Sequence, residues 1–176
     1  MLLDLDLTDR RVVAVGGGPV TARRVAAFLE DGARVTVIAP QVCPQVAAHV
    51  AVGAVEHAAR AWDGPADLEG ACLVHTATGV PAVDTAVRRA AAALGIWAID
   101  ATDAAASPVH VPARGVVPVS GGRLSVAVHA GGHPRRAVAA RDLAVAALTR
   151  AAADGRLAPA GSRSLGRHSI TARRSA

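Results

Sequence analysis

The sequence predicts an α/β protein with a parallel sheet and helices on both faces, and three observations carry that expectation. Short β-branched runs alternate with longer helical patterns. A glycine cluster joins the first such run to the first helix. After Asp103 the alternation stops, and two extended runs around a Gly-Gly turn precede one long helix.

Arg11 to Val15 is apolar after its first residue, as a strand buried on both faces requires. It runs into Gly16-Gly17-Gly18-Pro19-Val20-Thr21. Ala22 to Glu30 reads as a helix with Val25, Ala26 and Leu29 on one face, stopped by Asp31-Gly32. Arg34 to Ile38 is a second strand, broken at Ala39-Pro40. Strand, glycine turn, helix and strand make one βαβ unit. Cys43 to Val52 then forms a helix, Ala54 to His57 a short strand, and Ala71 to Ala77 a further strand. Val80 to Leu94 is a helix with Pro81 in its first turn, where proline is favoured. Gly95 to Ile99 is a strand ending at Asp100. Beyond Asp103, Val109 to Pro112 and Gly115 to Val119 read as extended. A turn at Ser120 to Arg123 leads into Leu124 to Val128, and a helix follows from Arg135 to Ala153. From Asp154 the chain is rich in Gly, Pro, Ser and Arg without periodicity, which predicts disorder. The expected organisation is a Rossmann-like domain over 1–113, a hairpin and helix over 114–153, and an Arg-rich tail over 154–176.

Composition narrows the functional classes. The 176 residues suit one domain with a small appendage. Phe28, Trp62 and Trp97 are the only aromatics, so the core must be built from Ala, Val and Leu. All nineteen basic residues are Arg, which excludes Schiff-base chemistry by a lysine of this chain. Up to Asp154, fourteen Arg balance fourteen acids. The net charge of +5 therefore resides in Arg156, Arg163, Arg167, Arg173 and Arg174. That tail lacks interleaved aromatics, so no nucleic-acid partner is expected. No apolar run reaches the roughly 18 residues that span a bilayer, and Asp4, Asp6 and Asp9 give the wrong charge for a signal peptide. A cytoplasmic protein without a membrane partner is expected. Cys43 and Cys72 have no CxxC spacing and read as reduced thiols. No Cys/His cluster has zinc-site spacing, so no metal site is expected.

The glycine turn is the first candidate site. A helix N-terminus offers free N–H groups and partial positive charge to a diphosphate, and glycines let the backbone approach it. Gly16 and Gly18 fit the GxGxxG pattern, with Thr21 in place of the third glycine. Read alone, the turn serves either a dinucleotide or merely a tight strand–helix junction. After the second strand, Gln41 can reach a ribose, but the usual acid is missing and Arg34 stands at the wrong end for a 2′-phosphate. NAD and NADP are not distinguished there. Asp100 and Asp103 follow a core strand, where open parallel sheets bind ligands. They read as a general base or as turn-forming residues. Arg135 and Arg136, opening the last helix, read as a solvated face or an anion contact.

Val13-Ala14-Val15-Gly16-Gly17-Gly18-Pro19-Val20-Thr21-Ala22-Arg23-Arg24 and Gly32-Ala33-Arg34-Val35-Thr36-Val37 resemble the N-terminal dehydrogenase domain of siroheme synthase. So do Thr76-Ala77-Thr78, Asp103-Ala104-Ala105-Ala106-Ser107 and Ser125-Val126-Ala127-Val128-His129-Ala130-Gly131-Gly132. The resemblance covers roughly Leu3 to Ala147. It implies a precorrin-2 dehydrogenase, with NAD as hydride acceptor and sirohydrochlorin as product. It also implies Fe2+ insertion in many members, and a homodimer formed through the hairpin region. Carried over residue by residue, it puts cofactor contacts at Gly18, Pro19, Val20, Pro40, Gln41 and Thr78, beside Gly16 from the glycine pattern. Asp103 best matches the catalytic acid, with Asp100 nearer the place of a polar neighbour. Gly131, Gly132, Arg135 and Arg136 match the substrate side, where a tetrapyrrole's carboxylates would meet Arg and backbone N–H groups. The alternative reading is a non-catalytic NAD-binding sensor.

Overall fold

Five strands form one parallel sheet in the order β3-β2-β1-β4-β5. They are β1 (Arg11–Val15), β2 (Arg34–Ile38), β3 (Val55–Ala58), β4 (Leu73–Thr76) and β5 (Trp97–Asp100). Val12, Val13, Ala14 and Val37 are fully buried, as expected for apolar strands covered on both faces. The strands alternate with helices α1 (Pro19–Glu30), α2 (Pro44–Ala51) and α3 (Pro81–Ala93). One core layer brings Val25 and Phe28 of α1 and Val46 of α2 against Val12, Ala14, Val35 and Val37. The opposite layer sets Val87, Ala90 and Ala91 of α3 against Val13, Val15, Ile38 and Val74. The expected Rossmann-like fold is therefore present. Strand order reverses between β1 and β4, so the ligand crevice of such a sheet lies beyond the carboxyl ends of those two strands.

The computed structural model describes residues 2–158, in two compact units that divide between Val111 and Pro112. The second unit pairs β6 (Ala113–Val119) with β7 (Gly122–Val128) in an antiparallel hairpin, followed by α4 (Pro134–Ala153). α4 lies close on β6 at Gly115, where a Cβ would stand 2.5 Å from Val145 Cγ2. Val117 and Ala137 are buried, whereas Val116, Leu124, Val138 and Leu143 are exposed.

Several local expectations need correction. α1 begins at Pro19, three residues before Ala22, because proline's fixed φ suits the first helical position and its missing N–H costs nothing there. Val109 to Pro112, read as extended, pairs with no strand. Pro108 and Pro112 offer no N–H, and the segment joins neither sheet. Val109 and Val111 instead pack on the core, and the Ser107 hydroxyl donates to the Val109 carbonyl at 2.7 Å. The hairpin turn is two residues, Ser120 and Gly121, with Gly121 at φ +83°, so β7 starts at Gly122. An unanticipated 3₁₀ turn, Pro65–Leu68, buries Leu68 completely. From Pro159 the Arg-rich tail lies outside the described residues. Among the described residues, no helix is long and apolar enough to cross a membrane. Cys43 and Cys72 are free thiols.

Candidate functional site

Three loops meet at the carboxyl edge of the parallel sheet, and missing side chains let them meet. Gly16 leaves β1 at φ +116°, and a Cβ there would stand 2.4 Å from the carbonyl oxygen of Ala77, after β4. A Cβ on Gly17 would stand 2.0 Å from the carbonyl oxygen of Gln41, after β2. The Cys43 N–H donates to the Gly17 carbonyl at 2.8 Å, and the Ala77 N–H to Val15 at 2.9 Å. Gly18 differs, because a Cβ there would meet nothing within 4 Å. The three glycines thus divide their work. Gly16 and Gly17 admit neighbouring backbone, and Gly18 keeps the outer surface of the turn open. Gly17 was not among the expected cofactor residues, although its place between the other two was the available signal.

Gly18 caps α1 in an extended conformation without a side-chain hydrogen bond, Pro19 follows, and no acid lies in the first turn. The first intrahelical bond runs from the Ala22 N–H to the Gly18 carbonyl at 3.0 Å. Helix geometry leaves the preceding N–H groups without intrahelical acceptors. Open space, free donors and a positive helix end fit a dinucleotide's diphosphate. Thr21, in place of the third glycine, is fully buried with its hydroxyl unpartnered. Pro19, Val20, Pro40 and Gln41 are exposed around this turn, and Thr78 is half-buried on the β4 side.

The β4–β5 side is built from side chains. Asp84, in the first turn of α3, is 1% exposed. Its carboxylate accepts the hydroxyl of Thr76, the N–H of Thr78 at 3.1 Å and the hydroxyl of Thr78 at 2.8 Å. Thr102 Oγ1 lies 3.1 Å from the other oxygen, Asp84 Oδ2. Asp100, 4% exposed, accepts the N–H groups of Thr102 at 2.8 Å and Asp103 at 3.0 Å, and the Thr102 hydroxyl at 2.7 Å. Arg88 Nε stands 2.7 Å from Asp100 Oδ2, an ion pair without hydrogen-bond alignment. Burial alone would raise the Asp100 pKa. The Thr102 hydroxyl, the two N–H donors and the Arg88 guanidinium outweigh it and hold the group below the ordinary carboxylate value. Asp103 is different in kind. It is exposed, and its carboxylate accepts the Ala106 N–H at 3.1 Å.

Asp84, Arg88 and Thr102 were not anticipated. Asp84 was marked only by its place in the first turn of a helix, shortly after Thr76-Ala77-Thr78. His75 on β4 is also buried, with Nδ1 unpartnered and its ring edge-on to Phe28 at 6.5 Å between centroids. Burial first, and the Arg24 charge second, push its pKa down to about 4, against the opposing charges of Asp100 and Asp84.

The first unit therefore brings together the glycine turn, Pro40, Gln41, Thr78, Asp100 and Asp103. Gly131, Gly132, Arg135 and Arg136 belong to the second unit. There the two glycines take φ +57° and +86° in a turn closed by the His133 N–H on the Ala130 carbonyl. Arg135 and Arg136 are exposed in the first turn of α4.

A family model described as "Putative NAD(P)-binding" matches residues 3–113, which include the whole parallel sheet and all three loops. The chain belongs to this family. Its resemblance to the N-terminal domain of siroheme synthase is matched by relatives. The siroheme synthase of Methylobacillus flagellatus is 40% identical over 92 residues, covering 52% of this chain and 20% of that protein. The precorrin-2 dehydrogenase of Priestia megaterium is 36% identical over 85 residues, covering 48% of this chain and 42% of that protein. The chain thus spans less than half the length of each of these relatives. A solved structure titled SirC, precorrin-2 dehydrogenase, superposes with a TM-score of 0.69 at 27% identity, over 85% of this chain and 74% of that one. The family match supports the expected NAD as cofactor.

Proposed function

We propose that this chain is a precorrin-2 dehydrogenase that oxidises its tetrapyrrole substrate to sirohydrochlorin with NAD+. The supporting observation is an open, amide-lined glycine turn on the same sheet edge as one exposed carboxylate, in a chain similar to named precorrin-2 dehydrogenases. Bound NAD+ supplies the hydride acceptor. Gly18 and the amides opening α1 would hold the diphosphate, with Pro19 and Val20 alongside, and Pro40, Gln41 and Thr78, beyond the ends of β2 and β4, would make the remaining cofactor contacts. Each hydride lost from the macrocycle leaves with a proton, which Asp103 accepts. Asp100 cannot readily do so, because its carboxylate is buried, ion-paired and already accepting three hydrogen bonds.

Gly131, Gly132, Arg135 and Arg136 are assigned to the substrate's carboxylates. Residues 1–113 are assigned to the dinucleotide and 114–153 to dimerisation, the exposed Val116, Leu124, Val138 and Leu143 favouring a homodimer. Fe2+ insertion into the product is proposed as a second reaction, with Asp103 again taking pyrrole protons. A cytoplasmic location is proposed from the biosynthetic role.

Anaerobic incubation with precorrin-2 and NAD+ tests the central reading. NADH formed in proportion to sirohydrochlorin is the expected result. NAD+ binding without NADH would replace the enzyme with a sensor. Adding Fe2+ afterwards and following siroheme absorbance tests the second reaction.

A further inference from the structure

We propose that Thr102 is a positioning residue, whose single hydroxyl proton between Asp84 and Asp100 couples the dinucleotide-side loop to the proton-accepting loop. The proposal rests on the function proposed above. Thr102 Oγ1 lies 2.7 Å from Asp100 Oδ1 and 3.1 Å from Asp84 Oδ2. A hydroxyl carries one proton, so it cannot donate fully to both carboxylates.

Each carboxylate controls a different loop. Asp84 gathers the hydroxyls of Thr76 and Thr78 and the Thr78 N–H, fixing the end of β4 where the cofactor-side Thr78 lies. Asp100 gathers the N–H groups of Thr102 and Asp103, fixing the backbone that carries the exposed base. The bonds from Thr102 to Asp100 are local, two residues apart. The bond to Asp84 spans 18 residues and ties the loop after β5 to the carboxylate that holds the end of β4, beside the backbone bond from the Ala101 N–H to the Thr76 carbonyl at 3.0 Å. Arg88 reinforces the same junction, reaching Asp100 Oδ2 at 2.7 Å while its Nη2 donates to Thr85 on α3 at 3.1 Å. A change at Thr78 on cofactor binding is thereby transmitted through Asp84 and the shared proton to the segment holding Asp103.

Thr102→Val removes the hydroxyl and keeps shape and backbone N–H, Thr102→Ser restores the hydroxyl, and Thr102→Ala is a second deletion. Amide exchange read by mass spectrometry follows the loops with and without NAD+. In the wild type, NAD+ slows exchange in both 76–80 and 100–106. In Thr102→Val and Thr102→Ala the slowing persists in 76–80 and is lost in 100–106, and Thr102→Ser behaves as wild type. With precorrin-2, the deletions lower kcat by about 10- to 100-fold, the scale of a misplaced catalytic group, with NAD+ affinity and Tm unchanged. Deletions that keep wild-type protection and kcat, or a serine variant that restores neither, would overturn the coupling. A wild type that makes no NADH while the exchange pattern follows expectation would sink the proposed reaction and leave the coupling intact.

Discussion

The two sides of the candidate site are made by opposite means. Beyond β1, the glycine turn works through absent side chains, with Gly16 and Gly17 admitting neighbouring carbonyls and Gly18 left open. Beyond β4 and β5, Asp84, Asp100, Arg88 and three threonines fill the space with hydrogen bonds and charge. The first side is a receptacle and the second a support. Of the second side's three carboxylates, Asp103 alone is exposed, so the support leaves one acid free for chemistry.

Removing that acid is the sharpest way to test the division. Asp103→Ala should cut NADH formation from precorrin-2 by about 10²- to 10⁴-fold, the usual range for a general base, with Tm and NAD+ affinity unchanged. Steady-state kinetics beside a thermal melt checks this. If Asp100→Ala loses turnover without losing stability, and Asp103→Ala keeps it, the roles of the two acids are exchanged.

Stability should separate the sides next. Gly17→Ala drives a Cβ to 2.0 Å from a backbone oxygen and should cost about 3 kcal/mol. Gly18→Ala meets no atom and loses only glycine's advantage over alanine at a helix N-cap, about 1 kcal/mol. Urea unfolding of both variants checks the contrast, and equal costs would erase the distinction between them. Asp100→Ala strands Arg88 and two N–H donors and should also cost about 3 kcal/mol by the same measurement.

A pH effect follows from His75. Its folded pKa, near 4, lies below the ordinary 6.5, so the unfolded chain binds the proton first as pH falls. Stability from this group is complete above pH 6.5 and is lost as pH drops toward 4, by on the order of 3 kcal/mol. The lowered pKa of Asp100 acts in a more acidic window, with stability lost as pH falls below the ordinary value of 3.8. Unfolding free energies at pH 7.5 and 5 should differ in the wild type and converge in His75→Leu.

Sequence reading reached these two sides unequally, for a physical reason. The glycine turn, its flanking strands and α1 are local, within thirty residues, and period and glycine placement encode them directly. Asp100 and Asp103 were visible because one ends a core strand and the other closely follows it. Asp84, Arg88 and Thr102 were not, because their partners come from β4, α3 and the loop after β5, and only tertiary folding sets them at hydrogen-bond distance. Val109 to Pro112 shows the opposite limit: the run reads as extended, but Pro108 and Pro112 lack N–H donors, so it joins no sheet and its valines serve the core.

Gly18→Asp tests most directly whether the glycine turn holds a diphosphate, through two effects of opposite sign. Aspartate is a favoured helix N-cap, so α1 should be as stable as in the wild type or slightly more so. Its carboxylate would stand where the diphosphate is placed and repel it. Calorimetric titration with NAD+ should show binding abolished in a protein whose Tm has not fallen, whereas wild-type affinity in Gly18→Asp would contradict the assignment.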